Sequence, residues 1–291
     1  MRLWPHFINC WKALNSLFEL FSDPLVASAS GSDSFLLWAS LLIPIIAVMA
    51  YPALAKKLLS LQQPTPLQQE ELQRTLPFVD ASLVGNFRIW NTGNRICNAA
   101  VVGCVPRFSM VLISDALLQR LSPRESAAIV AHELGHLRLW HVPIRLSIVF
   151  AGGLLGMAMV QYAEQVGTSQ LLSQSIVILG TMLYMSLMLH FVAPLLEFQA
   201  DLFAVDLLSR ESGDRNRSTC TLLRALARLT DLSGIRTNQK TWLYPSFEQR
   251  RQAILFHKAS PRLQWTLRIV LGAIFLSQAT LVIGSLIYLI K

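Results

Sequence analysis

His132-Glu133-Leu134-Gly135-His136 decides how this chain is read. On a helix, residues four apart share a face, so His132 and His136 point the same way, one turn apart. Two imidazoles at that spacing can hold one zinc ion. Glu133 follows the first imidazole by one residue, which lets it reach a water on the metal rather than the metal itself. That arrangement predicts a metal-dependent peptidase, and the alternative for the bare pattern is a chance match on an amphipathic helix. The helix has its own signals. Ser122-Pro123-Arg124-Glu125 reads as a capping box with proline at the first helical position. Ala127, Ala128, Ile129, Val130 and Ala131 carry the helix into the motif.

A catalytic zinc usually has three protein ligands and one open position. Glu197-Phe198-Gln199-Ala200-Asp201 lies 61 residues beyond His136, at the end of a long apolar run. Glu197 is the expected third ligand. Asp201, one turn later on the same face, can hydrogen-bond a ligating histidine and fix its tautomer. An ordinary acid pair on a helix surface is the competing explanation.

These two motifs together resemble the M48 peptidases, the group that includes the CAAX prenyl proteases and the HtpX-type membrane proteases. The resemblance extends over roughly residues 65–258. Asn98-Ala99-Ala100 with Gly103, then Val111-Leu112-Ile113-Ser114-Asp115 and Leu117-Leu118, are similar to the segments before that family's zinc helix. His141 stands where prenyl proteases often carry histidine. Pro245-Ser246-Phe247-Glu248-Gln249-Arg250 resembles the family's late His-Pro…Arg motif, except that Tyr244 replaces the usual histidine. The resemblance implies a small α+β gluzincin-type peptidase domain within an α-helical multi-pass membrane protein. It implies one Zn2+ per chain on His132, His136 and Glu197, with Asp201 and His141 behind them. Glu133 is the general base, and Tyr244 and Arg250 are the candidate donors to the oxyanion. Arg250 suits a structural ion pair better. Asn98, Ala99 and Ala100 form a candidate substrate-binding strand, with a plain core strand as the alternative.

Composition agrees with a membrane setting. Hydrophobic residues make up 53% of the chain and charged residues only 14%, too apolar for an ordinary soluble protein. Residues 35–55 carry no charge, nor do 269–290, and between Arg145 and Glu197 the only acidic or basic residue is Glu164. Each block approaches the ~20 residues that span a bilayer as a helix. The 146–196 stretch divides near Gly167-Thr168-Ser169-Gln170 into two spans of a hairpin. Residues 53–145 hold ten Lys/Arg, residues 197–268 hold twelve, and the 164–174 loop holds none. The positive-inside rule then puts both motif segments on the cytoplasmic face of the cell (inner) membrane, with the loop outside. The net charge of +8 follows from the same bias. No basic cluster interleaved with aromatics supports nucleic acid as a partner. Peptide or protein substrate and the lipid bilayer are the expected partners.

The expected organisation is an amphipathic interfacial segment over 1–34, a spanning helix over 35–55, and the first catalytic part over 56–143. A spanning hairpin over 144–196, the second catalytic part over 197–265 and a last spanning helix over 266–291 follow. Short strands are expected at 87–90, 96–102 and 110–114, with Asn91-Thr92-Gly93-Asn94 turning the first into the second. Residues 211–218 read as a loop. Cys10, Cys97, Cys104 and Cys220 lack metal spacing and read as structural. His190, two turns before Glu197, lines a chamber or is hydrogen-bonded between helices. A signalling sensor with a peptidase domain and a non-catalytic scaffold are the rival functions; a scaffold has no use for Glu133.

Overall fold

The structure, a computed structural model, describes residues 46–47, 50–59, 61–75, 87–104, 109–234, 236–259 and 262–290. The interfacial segment expected over 1–34, Cys10 and most of the 35–55 span lie outside the described residues. The chain divides into Met1–Ala47 and a unit of Val48–Lys291 that contains every element named below.

Four strands form one sheet: β1 (Leu61–Gln62), β2 (Phe87–Trp90), β3 (Ala99–Val102) and β4 (Met110–Ser114), in the order β1-β2-β4-β3. β4 is buried along its whole length. It pairs parallel with β2 and antiparallel with β3. The expected hairpin between the first two long strands is therefore wrong, because β4 lies between them. Asp115 accounts for the difference. Its carboxylate accepts from Thr92 N at 3.2 Å, Thr92 Oγ1 at 2.5 Å and Asn94 N at 2.9 Å. The 91–94 turn is thus tied to the helix start after β4 instead of closing a two-strand ribbon. β3 also starts at Ala99 rather than at residue 96.

Eight helices are assigned among the described residues beyond position 61. They are α1 (Pro66–Thr75), α2 (Asp115–Arg120), α3 (Pro123–Arg138), α4 (His141–Gln165), α5 (Gln170–Ser212), α6 (Arg215–Leu232), α7 (Phe247–Ala259) and α8 (Arg262–Ile290). The capping box expected at Ser122 is present: Glu125 Oε2 accepts from Ser122 N at 2.9 Å and Ser122 Oγ accepts from Glu125 N at 3.4 Å. The loop expected over 211–218 shrinks to Gly213 and Asp214. Gly213 takes a left-handed φ of 69° to end α5, and Asp214 caps α6 through Asn216 N and Arg217 N.

α4, α5 and α8 are long and apolar enough to cross a membrane. They pack on one another through Ile144, Ile148, Val192, Leu196 and Leu271. Gly152 and Gly156 let α4 approach α5, since a Cβ at either would meet Met185 or Thr181 under 3.0 Å. Much of the remaining apolar surface faces outward, with Leu171 81% and Leu276 68% exposed. In water that would be a large unfavourable patch, and lipid removes the conflict. α5 runs 43 residues without a break, through Pro194 and past Glu197 and Asp201.

The core that holds the site lies under α3. Phe87, Val111, Ile113 and Leu117 from the sheet side meet Ala128, Ile129, Ala131 and Leu134 of α3, with Ala204, Val205, Leu222 and Ile254 closing the far side. Gly135 makes the closest approach. A Cβ there would stand 3.1 Å from Ala200 Cα and 3.2 Å from Phe203. Gly135→Leu is expected to force α3 and α5 apart and destabilise the fold by about 1–3 kcal/mol or more. Gly153→Leu, on an open face of α4, should change stability little. Thermal unfolding of the two variants in the same detergent checks the contrast.

Candidate active site

α3 and α5 cross at Gly135 and Ala200, so the motif residues on either side of that contact converge. His132 and His136, one turn apart on α3, direct their Nε2 atoms to within 3.2 Å of each other. Glu197 on α5 brings Oε2 to 3.4 Å from His132 Nε2 and Oε1 to 3.6 Å from His136 Nε2. One ligand atom from each of the three lies within 4.8 Å of the others.

The partners of the outer ring nitrogens determine what this gap accepts. His132 Nδ1 donates to Asp201 Oδ1 at 2.9 Å. His136 Nδ1 lies 2.8 Å from His141 Nδ1, and His141 Nε2 lies 2.9 Å from Gln199 Oε1. The amide oxygen can only accept, so His141 carries its proton on Nε2 and accepts at Nδ1. His136 must then carry its proton on Nδ1. With His132 neutral, both Nε2 lone pairs face the gap beside a carboxylate. A cation satisfies that set. Tetrahedral zinc bonds of about 2.0–2.1 Å would separate two nitrogen ligands by about 3.3 Å, matching the spacing found.

The local charge supports the same conclusion. Burial and the Arg250 charge disfavour a proton on His132, yet the Asp201 and Glu197 carboxylates outweigh them and lift its pKa to about 9. Positive charge is thus welcome at this point. His136 is pushed the other way, by burial and by His132. Arg250 grips Asp201 with two bonds, Nε to Oδ2 at 2.8 Å and Nη2 to Oδ1 at 2.6 Å, and its Nη2 passes 3.3 Å from His132 Nδ1. The guanidinium thereby orients the carboxylate that orients His132.

Glu133 has one flank on this cluster and the other on the sheet. Burial raises its carboxyl to about 7. Glu197 adds to the rise, while His132, Arg250 and a hydrogen bond from Val101 N–H oppose it. Tyr244 sits in the turn before α7, which is closed by Tyr244 N donating to Thr241 Oγ1 at 3.0 Å. The residue is 52% exposed, but its hydroxyl end is turned inward. Burial raises the phenol pKa, with Arg145, Glu197 and Glu133 as its charged neighbours.

β3 is the edge strand beside α3. Ser114 N bonds Asn98 O at 3.0 Å. In the alternating antiparallel ladder this turns Ala100 and Val102 towards β4, and Ala99 and Val101 towards the open edge. Val101 on that edge is the strand residue that meets Glu133, and Asn98, Ala99 and Ala100 precede it in the chain. His190 is not gathered into the cluster. Its Nδ1 donates to Trp242 O at 2.6 Å and its ring stacks on Trp242, joining α5 to the Tyr244 loop.

Two site residues escaped the sequence reading. Gln199 was inside the quoted motif but given no role. Arg145, taken only as the edge of an apolar block, sets Nη2 3.3 Å from Glu197 Oε1. The signal was available, since Arg145 follows His141 by four residues on one helix face.

Comparison with known proteins agrees with this geometry. The model of peptidase family M48 matches residues 65–258, a stretch from α1 into α7 that contains every residue of the cluster. Among solved structures, the crystal structure of S. mikatae Ste24p is similar, with a TM-score of 0.62 and 15% sequence identity over 87% of this chain. The chain spans 66% of the length of that protein. At that identity the likeness is one of fold. No curated protein sequence matches the chain. With a family model covering more than half of its residues, this chain belongs to peptidase family M48.

Proposed function

We propose that the chain is a membrane-embedded zinc metalloendopeptidase that hydrolyses peptide bonds at the cytoplasmic membrane surface. Its peptidase domain is a small α+β gluzincin-type unit built from the sheet, α3, the second half of α5, α6 and α7. The observation that carries the proposal is the convergence of three lone-pair donors, His132, His136 and Glu197, with a protonatable Glu133 beside them. When bound there, zinc supplies Lewis acidity that polarises a peptide carbonyl and lowers the pKa of water.

The chain's own residues do the rest. Glu133, enclosed and raised towards neutrality, accepts the proton of the attacking water and passes it to the leaving amine. A carboxylate with an ordinary pKa would return that proton less readily. Tyr244 donates its phenolic hydrogen to the oxygen that gains charge on the scissile carbonyl. Arg250 holds Asp201, and through it His132, so its contribution is orientation. The open edge of β3 offers Ala99 N–H and C=O to an extended substrate backbone. That register lays a peptide alongside Glu133. A signalling sensor finds little support in the short connection between α4 and α5, and a scaffold has no need of an enclosed base.

Cytoplasmic orientation follows from the Lys/Arg counts on either side of the α4–α5 hairpin. Ser169, at the α4–α5 connection, and Ser212, at the far end of α5, then lie on opposite sides of the bilayer.

Glu133→Gln is expected to retain zinc and lose hydrolysis, since the ligands remain and the base does not. His132→Ala, His136→Ala and Glu197→Ala should lose both. Metal analysis and peptide cleavage with purified protein check this, and full activity in Glu133→Gln would sink the mechanism. Tyr244→Phe should lower kcat by about tenfold to a thousandfold with zinc content unchanged; an unaltered kcat would leave the phenol as a packing group. For orientation, a cysteine at Ser169 should react with an impermeant reagent added to intact cells, and one at Ser212 only after permeabilisation. The reverse pattern would put the site outside.

A further inference from the structure

The peptidase chemistry proposed for this chain leaves Arg145 unexplained. It projects from the first turns of α4, one helical turn beyond His141, with 34% of its side chain exposed. Its Nη2 lies 3.3 Å from Glu197 Oε1. The Tyr244 phenol lies in the field of the same guanidinium, which opposes the rise in the phenol's pKa that burial causes. The Arg145 Nε is enclosed and has no partner among the described residues, which is unusual for a side chain placed only for stability.

We propose that Arg145 is a positioning residue that ties the Glu197 carboxylate to the Tyr244 phenol and fixes both for the reaction. The inference rests on the peptidase reading of the site. A guanidinium has five N–H donors and no acceptor. Towards Glu197 it must therefore donate to Oε1. That engages one carboxylate oxygen and leaves Oε2, 3.4 Å from His132 Nε2, as the better-placed metal ligand. Single-oxygen ligation keeps the fourth position open, as catalysis requires. Towards Tyr244 the same rule applies. The phenolic oxygen accepts from Arg145, so its own hydrogen is free to point into the site. A hydrogen bond from a cation also makes that O–H a stronger donor. Arg145 thus acts on the ligand and on the oxyanion donor through one rigid fork.

Lysine tests the fork, because an ammonium keeps the charge but presents a point donor on a flexible stem. The measurements are zinc affinity by chelator competition and kcat and KM on one peptide. They use the full chain in detergent for wild type, Arg145→Ala, Arg145→Lys, Tyr244→Phe and the two double variants. Arg145→Ala should weaken zinc binding by about tenfold to a hundredfold. Its kcat at saturating zinc should fall by about tenfold or more while KM changes much less. Tyr244→Phe should then cost less than about threefold in either Arg145 background, against at least about tenfold in wild type. Arg145→Lys should recover part of the zinc affinity but not that coupling.

An equal fold-effect of Tyr244→Phe in all backgrounds would overturn the tie to the phenol, and unchanged zinc affinity in Arg145→Ala would overturn the tie to Glu197. If Arg145→Ala does not fold, Arg145→Lys carries the same two tests. A wild-type protein that neither binds zinc nor cleaves peptide would remove the peptidase reading and this inference with it. A functional wild type with silent Arg145 variants would remove the inference alone.

Discussion

The contact of Gly135 with Ala200 sets the rest of the structure. Two helices can bring three ligand atoms to one point only if their axes come close. Here a Cβ on residue 135 would already stand 3.1 Å from the facing Cα. Small residues at that crossing are a steric requirement for bringing His132, His136 and Glu197 together. Around them the two motifs interlock. His132 and His136 lie on either side of Gly135, and Glu197 and Asp201 lie on either side of Ala200. Each histidine then meets a group that holds its outer nitrogen, Asp201 for one and His141 for the other. The core beneath α3 is filled by side chains of the sheet, α5, α6 and α7, and this packing keeps the crossing in place.

The electrostatics follow from the same enclosure. Removing a carboxylate and two imidazoles from water is costly unless each gains a partner. The chain supplies partners in sequence: Arg250 for Asp201, Asp201 for His132, Gln199 for His141, His141 for His136 and Arg145 for Glu197. After those pairings, the unmet capacity is three lone pairs facing one gap. A site of this kind is specific because the outer nitrogens of the histidines and the carboxylate behind them already have partners. Glu133 is the contrast. Val101 N–H supports it from the backbone, and its pKa rises to about 7, which suits proton transfer and would suit a structural carboxylate poorly.

The membrane enters through helix continuity. α5 carries apolar residues from Leu171 onward and ligand-bearing residues from Glu197 onward on one backbone. Pro194 falls between the two parts and leaves the carbonyl of His190 without its usual helical donor. Nearby, the His190 ring and Nδ1 bind the loop that presents Tyr244. The spanning bundle and the candidate oxyanion donor are thereby joined by a single helix and one hydrogen bond. α4 makes a parallel link, since it begins at His141 immediately after the zinc-motif helix.

Short-range rules recovered what depends on short-range physics. The capping box at Ser122, the apolar runs of α4, α5 and α8, and the i,i+4 pairing of His132 with His136 are each decided within a turn or a span of one segment. Residue spacing therefore sufficed for them. The family resemblance of the two motifs pointed to Glu197, and Asp201 followed from helical spacing. Misjudged features depend on neighbours far along the chain. Strand order turned on Asp115 capturing Thr92 and Asn94, which no alternation in 87–102 encodes. Arg145 and Gln199 gained roles only when α4, α5 and the Tyr244 loop came together, because side chains 52 or 58 residues apart share a hydrogen bond only in the folded chain. The sequence by itself determined which helices form and which residues can bind metal. The tertiary structure decided which of their nitrogen and oxygen atoms face the gap, because that depends on partners that folding alone brings within hydrogen-bond distance.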